Sequence, residues 1–517
     1  MLLSGSPVDR SVRLSEIVRA GLDTKPDADA LVSTTARWTW RQLEDVTMRL
    51  AVGLVDFGLQ PGDRIASLMP NRDALVIHYL ACAKAGLVSV PLNYRYTSRE
   101  IDFALTTSGA SALLVHAERD ADVRASARAS ALPLGTIRYG GNDTGAPRLE
   151  DLVGPARSSS LPPENPSAPA AIFFTSGSTG RPKGATHTQA SLAAMIASCI
   201  QGIELTPEDV MLPGSSLSHI VGYLFSFAAL AAGARTLVAE RFYDPDDILS
   251  LLRRERPTML GMIPVHLFSV VRAAQASRAD FASLRWCRAG GAKVPMELSS
   301  TFEALTGHTI HESYGCSEVG AVALDPPSET AVRGSVGRPL PGVALSLRDD
   351  SGSEVRPDEV GRLWIRTPAR MVGYWGDEAA TDAAVCDGWF DSGDLMTVDN
   401  DGYLWFRGRR RELIVHDGSN IYPQEVENAL LDHPAVVAAG VVGIADPTHG
   451  ENVRAYVVVS DDTTPPTAGA LVDFARRRVG YKAPKDIVLV AELPLNPAGK
   501  VDRLALQRMT AAGHDSD

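Results

Sequence analysis

A chain of 517 residues exceeds the size at which a single hydrophobic core stops growing, so at least two domains are expected. Its 45% apolar and 22% charged residues exclude a disordered chain, and a net charge of −12 argues against a nucleic-acid footprint. Five scattered cysteines (Cys82, Cys199, Cys287, Cys316, Cys386) without CxxC spacing fit a reducing cytoplasm better than a disulfide framework or a zinc site.

The opening stretch "MLLSGSPVDRSVRL" meets Asp9 and Arg10 before a secretory apolar core can form, so no signal peptide is expected. "WTWRQLEDVTMRLAVGLVDFGL" reads as an amphipathic helix closed by Gly58, "RIASLMP" as a buried strand, "DALVIHYLACAKAG" as a helix and "VSVPLN" as a strand. That βαβ rhythm implies parallel sheet covered by helices. The Ser/Pro-rich segment Arg157–Pro169 reads as a surface linker. The α/β rhythm returns over 190–330. Its longest apolar stretch, Val221–Val238, is broken by Gly233 and Arg235, which fits a buried helix and a strand, not a membrane span. From about Gly334, short strands with turn signals ("LPGVALSLRDDSG", "GRLWIRTP", "DGYLWFRG") form a β-rich section. "GRRRELIV" then leads into a helix, "YPQEVENALLDH", two strands, "AVVAAGVVGI" and "VRAYVVVS", and a further helix, Ala468–Val479: a small α+β unit.

One stretch carries chemistry at first sight. In "AAIFFTSGSTGRPKGATHT" (Ala170–Thr188) an apolar run stops at six residues made only of Gly, Ser and Thr, followed by Pro-Lys-Gly. Such a loop offers backbone N–H groups, hydroxyls and one ammonium, a set suited to a polyphosphate. It is not a Walker loop, because Pro182 stands where that motif needs its second glycine and Gly184 follows Lys183 in place of a hydroxyl. Nor is it a nucleophile elbow, since Ser176 and Ser178 lack the flanking glycines, and no dinucleotide fingerprint is present. Alone, it is equally a Ser/Gly turn or the Ser-rich loop of an amidase-type hydrolase.

The string "TSGSTGRPKG" (Thr175–Gly184) resembles the phosphate loop of the adenylate-forming enzymes: acyl-CoA synthetases, luciferases and peptide-synthetase adenylation domains. "ESYGCSE" (Glu312–Glu318), "GWFDSGDL" (Gly388–Leu395), "GRRRELIVHDGSNIYPQEVE" (Gly408–Glu427) and "PLNPAGKVDR" (Pro494–Arg503) resemble that family's later motifs in the right order. The resemblance spans about residues 15–510 and favours the acyl-CoA synthetase branch. It implies an α/β architecture: a large N-terminal domain of parallel α/β subdomains with a small β-rich section over 1–408, a hinge at 409–411, and a small mobile α+β C-terminal domain over 412–517.

Activating a carboxylate as its adenylate brings one anion onto the α-phosphate of another, so the site must supply positive charge and aimed donors. The resemblance assigns that work to Thr175, Ser176, Gly177, Ser178, Thr179 and Lys183 on the triphosphate of ATP. Glu318 takes the place of the Mg²⁺ ligand, a hard carboxylate suited to that cation. Tyr314 offers a flat face to the adenine beside Gly291 and Ala292, with Glu312 in the same motif and Ser313 and Ser317 where contacts to base and phosphate would fall. Asp394 and Arg409 would hold the ribose, with Arg411 at the hinge and Ser392 where Thr is commoner. Lys500, near the C-terminus, matches the lysine that bridges substrate carboxylate and α-phosphate. Gly418 and Asn420 would line the path of a pantetheine thiol, and the lysines of "YKAPK" would meet nucleotide phosphates.

Peptide-forming relatives place Asp near the position of His219, so histidine there disfavours α-amino acids. His219 would gate the carboxylate pocket, with Val221, Gly222, Phe225, Ile263, Gly315 and Ala321 as walls. No charge is expected among them, which suits a medium, aryl or polycyclic acid. The leading reading is thus an acid–coenzyme A ligase, with a carrier protein or separate thiolating partner as the alternative acceptor. A non-catalytic adenylate-binding protein would lack Lys500, Glu318 or the loop. A cytoplasmic location is expected, no nucleic-acid partner or membrane span, and a homodimer is left open.

Overall fold

Local chemistry sets the element ends. Thr39 and Gln42 form a reciprocal capping box that starts the helix Trp40–Asp56, and Gly58, at φ 116°, lies just past its end. The helix Asp73–Ala85 stops at Gly86, left-handed at φ 67°, whose N–H donates to the Cys82 carbonyl. The computed structural model describes residues 1–141, 145–154, 161–175, 182–416, 419–446, 448–460, 465–496 and 500–512. Part of the expected Arg157–Pro169 linker therefore lies outside the described residues.

These elements alternate with strands that assemble two large sheets. A seven-stranded sheet runs in the order Gly373–Tyr374, Lys183–Thr188, Pro169–Thr175, Val88–Pro91, Arg64–Leu68, Ala112–His116, Thr136–Tyr139. From Pro169–Thr175 onward its neighbours are parallel, whereas Lys183–Thr188 runs antiparallel to both its partners. A nine-stranded sheet runs Arg338–Pro339, Gly320–Leu324, His311–Cys316, Trp286–Gly290, Met259–Met262, Val210–Gly214, Arg235–Leu237, Asp29–Val32, Arg37–Thr39. The strands from His311–Cys316 to Asp29–Val32 are mutually parallel, and antiparallel strands close both edges. Parallel strands need helical crossovers, and the apolar stretch after His219 supplies one: the buried helix Ile220–Ala232, ended by Gly233 at φ 80°, and then Arg235–Leu237.

The β-rich section is a six-stranded sheet that includes Ala344–Arg348, Gly361–Arg366 and Trp389–Val398, the last paired antiparallel with Leu404–Arg409. The C-terminal sheet runs Ser419–Ile421, Ile414–His416, Gly450–Val459, Val436–Asp446, with Asp486–Leu489 parallel to Gly450–Val459. The helices Pro423–Leu431 and Ala468–Val479 cover it, burying Val426, Leu430 and Leu471 against Val441, Ala455 and Val457. The architecture is thus α/β, with a large N-terminal part built on parallel sheets and a small α+β part that follows it in the chain. The chain divides into two compact units. One comprises Leu3–Leu345 with Ile365–Phe390, and the other comprises Met1–Leu2, Ser346–Trp364 and Asp391–Asp517. Among the described residues no helix is long and apolar enough to cross a membrane.

Candidate functional site

In the first unit, Pro169–Thr175 and Lys183–Thr188 form a hairpin whose register ends at Thr175 opposite Lys183, so the phosphate-loop string connects two paired strands. Ser176, Gly177, Ser178 and Thr179 lie outside the described residues. The hairpin root is well defined. Gly373–Tyr374 adds an edge strand against Lys183–Thr188, with Tyr374 opposite Ala185. This places the Tyr374 ring 5.0 Å from the Lys183 ammonium and lets the Tyr374 hydroxyl donate to Glu318 Oε1 at 2.9 Å. Burial and the Glu318 charge both hold that phenol above its ordinary range, so it stays a donor. Lys183 and Glu318, read separately from sequence, are joined by one aromatic ring.

The backbone around Glu318 is fixed as well. The Met371 N–H donates to the Glu318 carbonyl at 2.7 Å, and His187 Nε2 donates to the Ser317 carbonyl at 2.7 Å. His187 is buried in the loop-following strand, and burial pushes its imidazole down to about 4. Neither Tyr374 nor His187 was assigned a role from the sequence. His187 lies within the quoted stretch, but nothing in its neighbours reveals a partner in the distant turn after Cys316.

The strand His311–Cys316 carries the adenine-side candidates and turns back into Gly320–Leu324, with a register shift at Tyr314/Gly315. Tyr314 is buried, Ser317 and Glu318 are half-buried, and Gly315 is exposed. A Cβ on Gly315 would sit 2.3 Å from the Gly320 carbonyl oxygen, so this hairpin requires glycine there. The carboxylate of Glu312 accepts from the Gly334 N–H at 3.0 Å, with the Val294 N–H at 3.5 Å, and burial raises its pKa. It therefore braces the turn after Trp286–Gly290. In that turn Gly291, at φ 85°, and Ala292 are exposed.

The expected acyl-side residues gather around the start of the helix Ile220–Ala232. His219 occupies its N-cap position, though its side chain does not cap the helix. Val221 is half-buried, while Gly222 and Phe225 are buried; a Cβ on Gly222 would lie 2.2 Å from the Ser216 carbonyl oxygen. Ile263 precedes the helix Pro264–Arg272, with its Cγ2 3.9 Å from where a Gly291 Cβ would be, and Ala321 pairs with Gly315. Beside Phe225 lies a charge from outside that expected lining: the guanidinium carbon of Arg288 is 5.2 Å from its ring centroid. Arg288 sits inside the apolar run "LRWCRAGG", a position that reads as plain buried strand.

In the second unit, Asp394 is buried and pairs across strands with Arg409, whose Nε lies 3.2 Å from Asp394 Oδ1. Ser392 donates to the Leu363 carbonyl at 2.8 Å and accepts from the Asp394 N–H at 3.1 Å, so serine does the positioning at this point of the motif. Arg411 is exposed in the short 3-10 turn Arg410–Glu412; partial desolvation and the neighbouring Arg409 charge both lower its pKa. Gly418 lies outside the described residues. Asn420 pairs with Val415 in the strand Ser419–Ile421. Lys482 of "YKAPK" donates to both Glu425 oxygens at 2.8 Å. Lys500 is exposed in a turn held by Asn496 and Lys500 main-chain bonds and the Leu495–Val501 bridge.

Among the described residues no cluster of three potential ligands forms a dedicated metal cage. A lone carboxylate beside an ammonium-bearing loop root fits Mg²⁺ brought in on phosphates, since that ion commonly takes one or two carboxylates and completes its shell with phosphate oxygens and water.

A hairpin loop rooted at an ammonium, a phenol and a carboxylate defines a nucleotide-handling α/β enzyme. Residues 18–375 match the family described as AMP-binding enzyme, and residues 425–500 match the AMP-binding enzyme C-terminal domain. The chain belongs to the AMP-binding enzyme family. It is 34% identical to a feruloyl-CoA synthase from an Amycolatopsis species over 92% of this chain and 94% of that protein. It is 31% identical to the fatty acid–[acyl-carrier-protein] ligase ScoC of Streptomyces coeruleorubidus over 93% of each chain. The crystal structure of ATP-bound MatB from Rhodopseudomonas palustris superposes with a TM-score of 0.88, at 27% identity over 96% of this chain and 99% of that one.

Proposed function

We propose that the enzyme activates an organic, non-amino carboxylic acid with ATP and passes the acyl group to the thiol of coenzyme A. In the first step a carboxylate oxygen attacks the α-phosphorus, the bond to the bridging oxygen breaks and pyrophosphate leaves. In the second, the thiol sulfur attacks the acyl carbonyl, the thiol proton is lost and AMP leaves. The observation that carries this reading is the Lys183–Tyr374–Glu318 contact at the root of the Gly/Ser/Thr loop. It sets one cation and one hard anion beside a donor-rich loop, as a triphosphate with its Mg²⁺ requires. Glu318 would hold the metal, which when bound neutralises phosphate charge. Lys183 and Thr175 would flank the phosphates, Tyr314 and Gly291–Ala292 the base, and Asp394 with Arg409 the ribose. Lys500 would bridge the two reacting anions, and His219 would gate the acid.

The same reading takes residues 1–408 as the large domain, 409–411 as the hinge and 412–517 as a mobile small domain, working in the cytoplasm. Gly418 and Asn420 would line the thiol path. The ScoC relative supports a second acceptor, a carrier-protein thiol. A pyrophosphate-release screen over a carboxylic acid library, with and without coenzyme A, tests all of this. Acid-dependent release with a thioester product only when coenzyme A is added is the expected result. Release with no thioester on free coenzyme A would move the acceptor to a carrier, and no release with any acid would overturn the activation step.

A further inference from the structure

Arg288 is 5% exposed at the centre of the parallel sheet, on the strand Trp286–Gly290. Its Nε donates to Ser313 Oγ at 2.6 Å across the neighbouring strand, and its guanidinium lies over the Phe225 ring. It makes no ion pair with any described residue, and its terminal nitrogens make no hydrogen bond to one. The phosphate-loop residues 176–181, which lie outside the description, contain no carboxylate. The two groups whose ionisation would act on it electrostatically are Cys199 and Cys287, whose pKa values burial raises, Cys199 to about 12, so both are neutral thiols. Arg288 itself is lowered by burial only to about 10 and keeps its charge near neutrality.

A buried guanidinium with no counter-charge is strongly unfavourable, and an apolar side chain of similar volume would be more stable in its place. Packing alone therefore gives no reason for arginine here. The surroundings are nonetheless shaped to hold this head group. A Cβ on Gly290 would fall 2.4 Å from an Arg288 terminal nitrogen, so the glycine leaves the space that the guanidinium fills. Gly261, on the adjacent strand, likewise has the Arg288 side chain as its nearest neighbour, 4.0 Å from where a Cβ would be. Phe225 belongs to the helix that follows His219, and Gly290 leads straight into Gly291, which faces Ile263. The charge thus lies against Phe225, one of the residues read as walls of the acid pocket.

We infer that Arg288 receives a second, anionic oxygen group on the acid, so that the preferred substrates are carboxylic acids bearing a further carboxylate or sulfonate. This rests on the activation reading above and narrows its substrate class. A planar guanidinium presents paired donors that match such a group, and bound anion replaces the missing counter-charge. The reacting carboxylate remains the one delivered to the α-phosphate; the second anion is spent on binding and orientation. A monoacid of the same skeleton would leave the guanidinium buried beside apolar atoms and bind poorly.

The test is acid-dependent pyrophosphate release with matched pairs: hexanoate against adipate, phenylacetate against 4-carboxyphenylacetate, propionate against 3-sulfopropionate. The wild-type enzyme is expected to favour the doubly anionic member of at least one pair by about tenfold or more in kcat/KM. Arg288→Met should lose that member by about 10²-fold, mainly through KM, while keeping or improving turnover of the monoacid. Arg288→Lys should fall between the two. A folding defect would depress both members of a pair together, so the ratio within each pair is the readout. Monoacid preference by wild type in every pair, or a ratio unmoved by Arg288→Met, would overturn the assignment. Absence of release with every acid would instead overturn the activation reading on which it rests.

Discussion

Glu318 is held from one side by a phenol and from its main chain by Met371, and among the described residues no hydrogen bond engages the carboxylate's second oxygen. Tyr374→Phe removes the donor that fixes the carboxylate without removing the ring beside Lys183. Losing an outer partner of a metal-binding side chain commonly weakens metal affinity by about 10- to 100-fold. The expected outcome is a half-saturating Mg²⁺ concentration raised by about tenfold in a pyrophosphate-release titration, with turnover at saturating Mg²⁺ largely kept. An unchanged Mg²⁺ requirement would detach Tyr374 from the metal. Glu318 and Lys183 were legible from motif order, whereas Tyr374 was not: it reaches them as half of a two-residue edge strand, and no local pattern marks so short a pairing. His187 escaped for a related reason, since its partner is the Ser317 carbonyl in the turn after the strand His311–Cys316. Its folded pKa of about 4 lies below its ordinary 6.5, so the unfolded chain binds the extra proton between those values and stability falls as pH drops through that window. His187→Gln, which can still donate to Ser317, should make urea-unfolding midpoints less sensitive to pH between about 6.5 and 4. An equally steep profile would place the acid sensitivity on other buried histidines, such as His78, whose pKa burial also lowers.

Helix and strand positions followed from period and punctuation: the helices Trp40–Asp56 and Asp73–Ala85, and the helix Ile220–Ala232 and strand Arg235–Leu237 on either side of Gly233, fall where hydrophobic spacing and left-handed glycines put them. What the linear pattern does not contain is close approach between elements. Gly222 looks like a weak point in an apolar helix, yet it is the place where the helix meets the Ser216 carbonyl. Gly222→Ala must push apart two backbones rather than bend a side chain, and overpacking of that kind costs about 1–3 kcal/mol. It should lower the melting temperature and raise KM for the acid more than KM for ATP, because the displaced helix carries His219 and Phe225. Equal shifts in both KM values would show that this helix end does not border the acid. Arg288 was missed on the same grounds: an arginine within an apolar strand reads as a tolerated exception until Gly290 and Ser313 are seen making room for it and bonding it.

The candidate groups are divided between two compact units, with the loop root, Glu318 and Tyr314 in one and Asp394, Arg409 and Lys500 in the other. If the chemistry is split in the same way, the two half-reactions should be separable by mutation. Adenylation opposes two anions and needs a cation between them; thiolysis of a preformed acyl-AMP does not, because its nucleophile attacks a carbonyl and its leaving group is already an excellent one. Lys500→Ala should therefore reduce acid-dependent pyrophosphate release by about 10²–10³-fold, the range seen when one preorganised donor is deleted. Thioester formation from supplied acyl-AMP and coenzyme A should remain within a few-fold of wild type. Lys500 is exposed and stands in a main-chain-held turn, so the substitution has little reason to disturb folding. A parallel loss of both activities would mean that this lysine serves the small unit's integrity or both reactions at once, and the division of labour between the units would have to be abandoned.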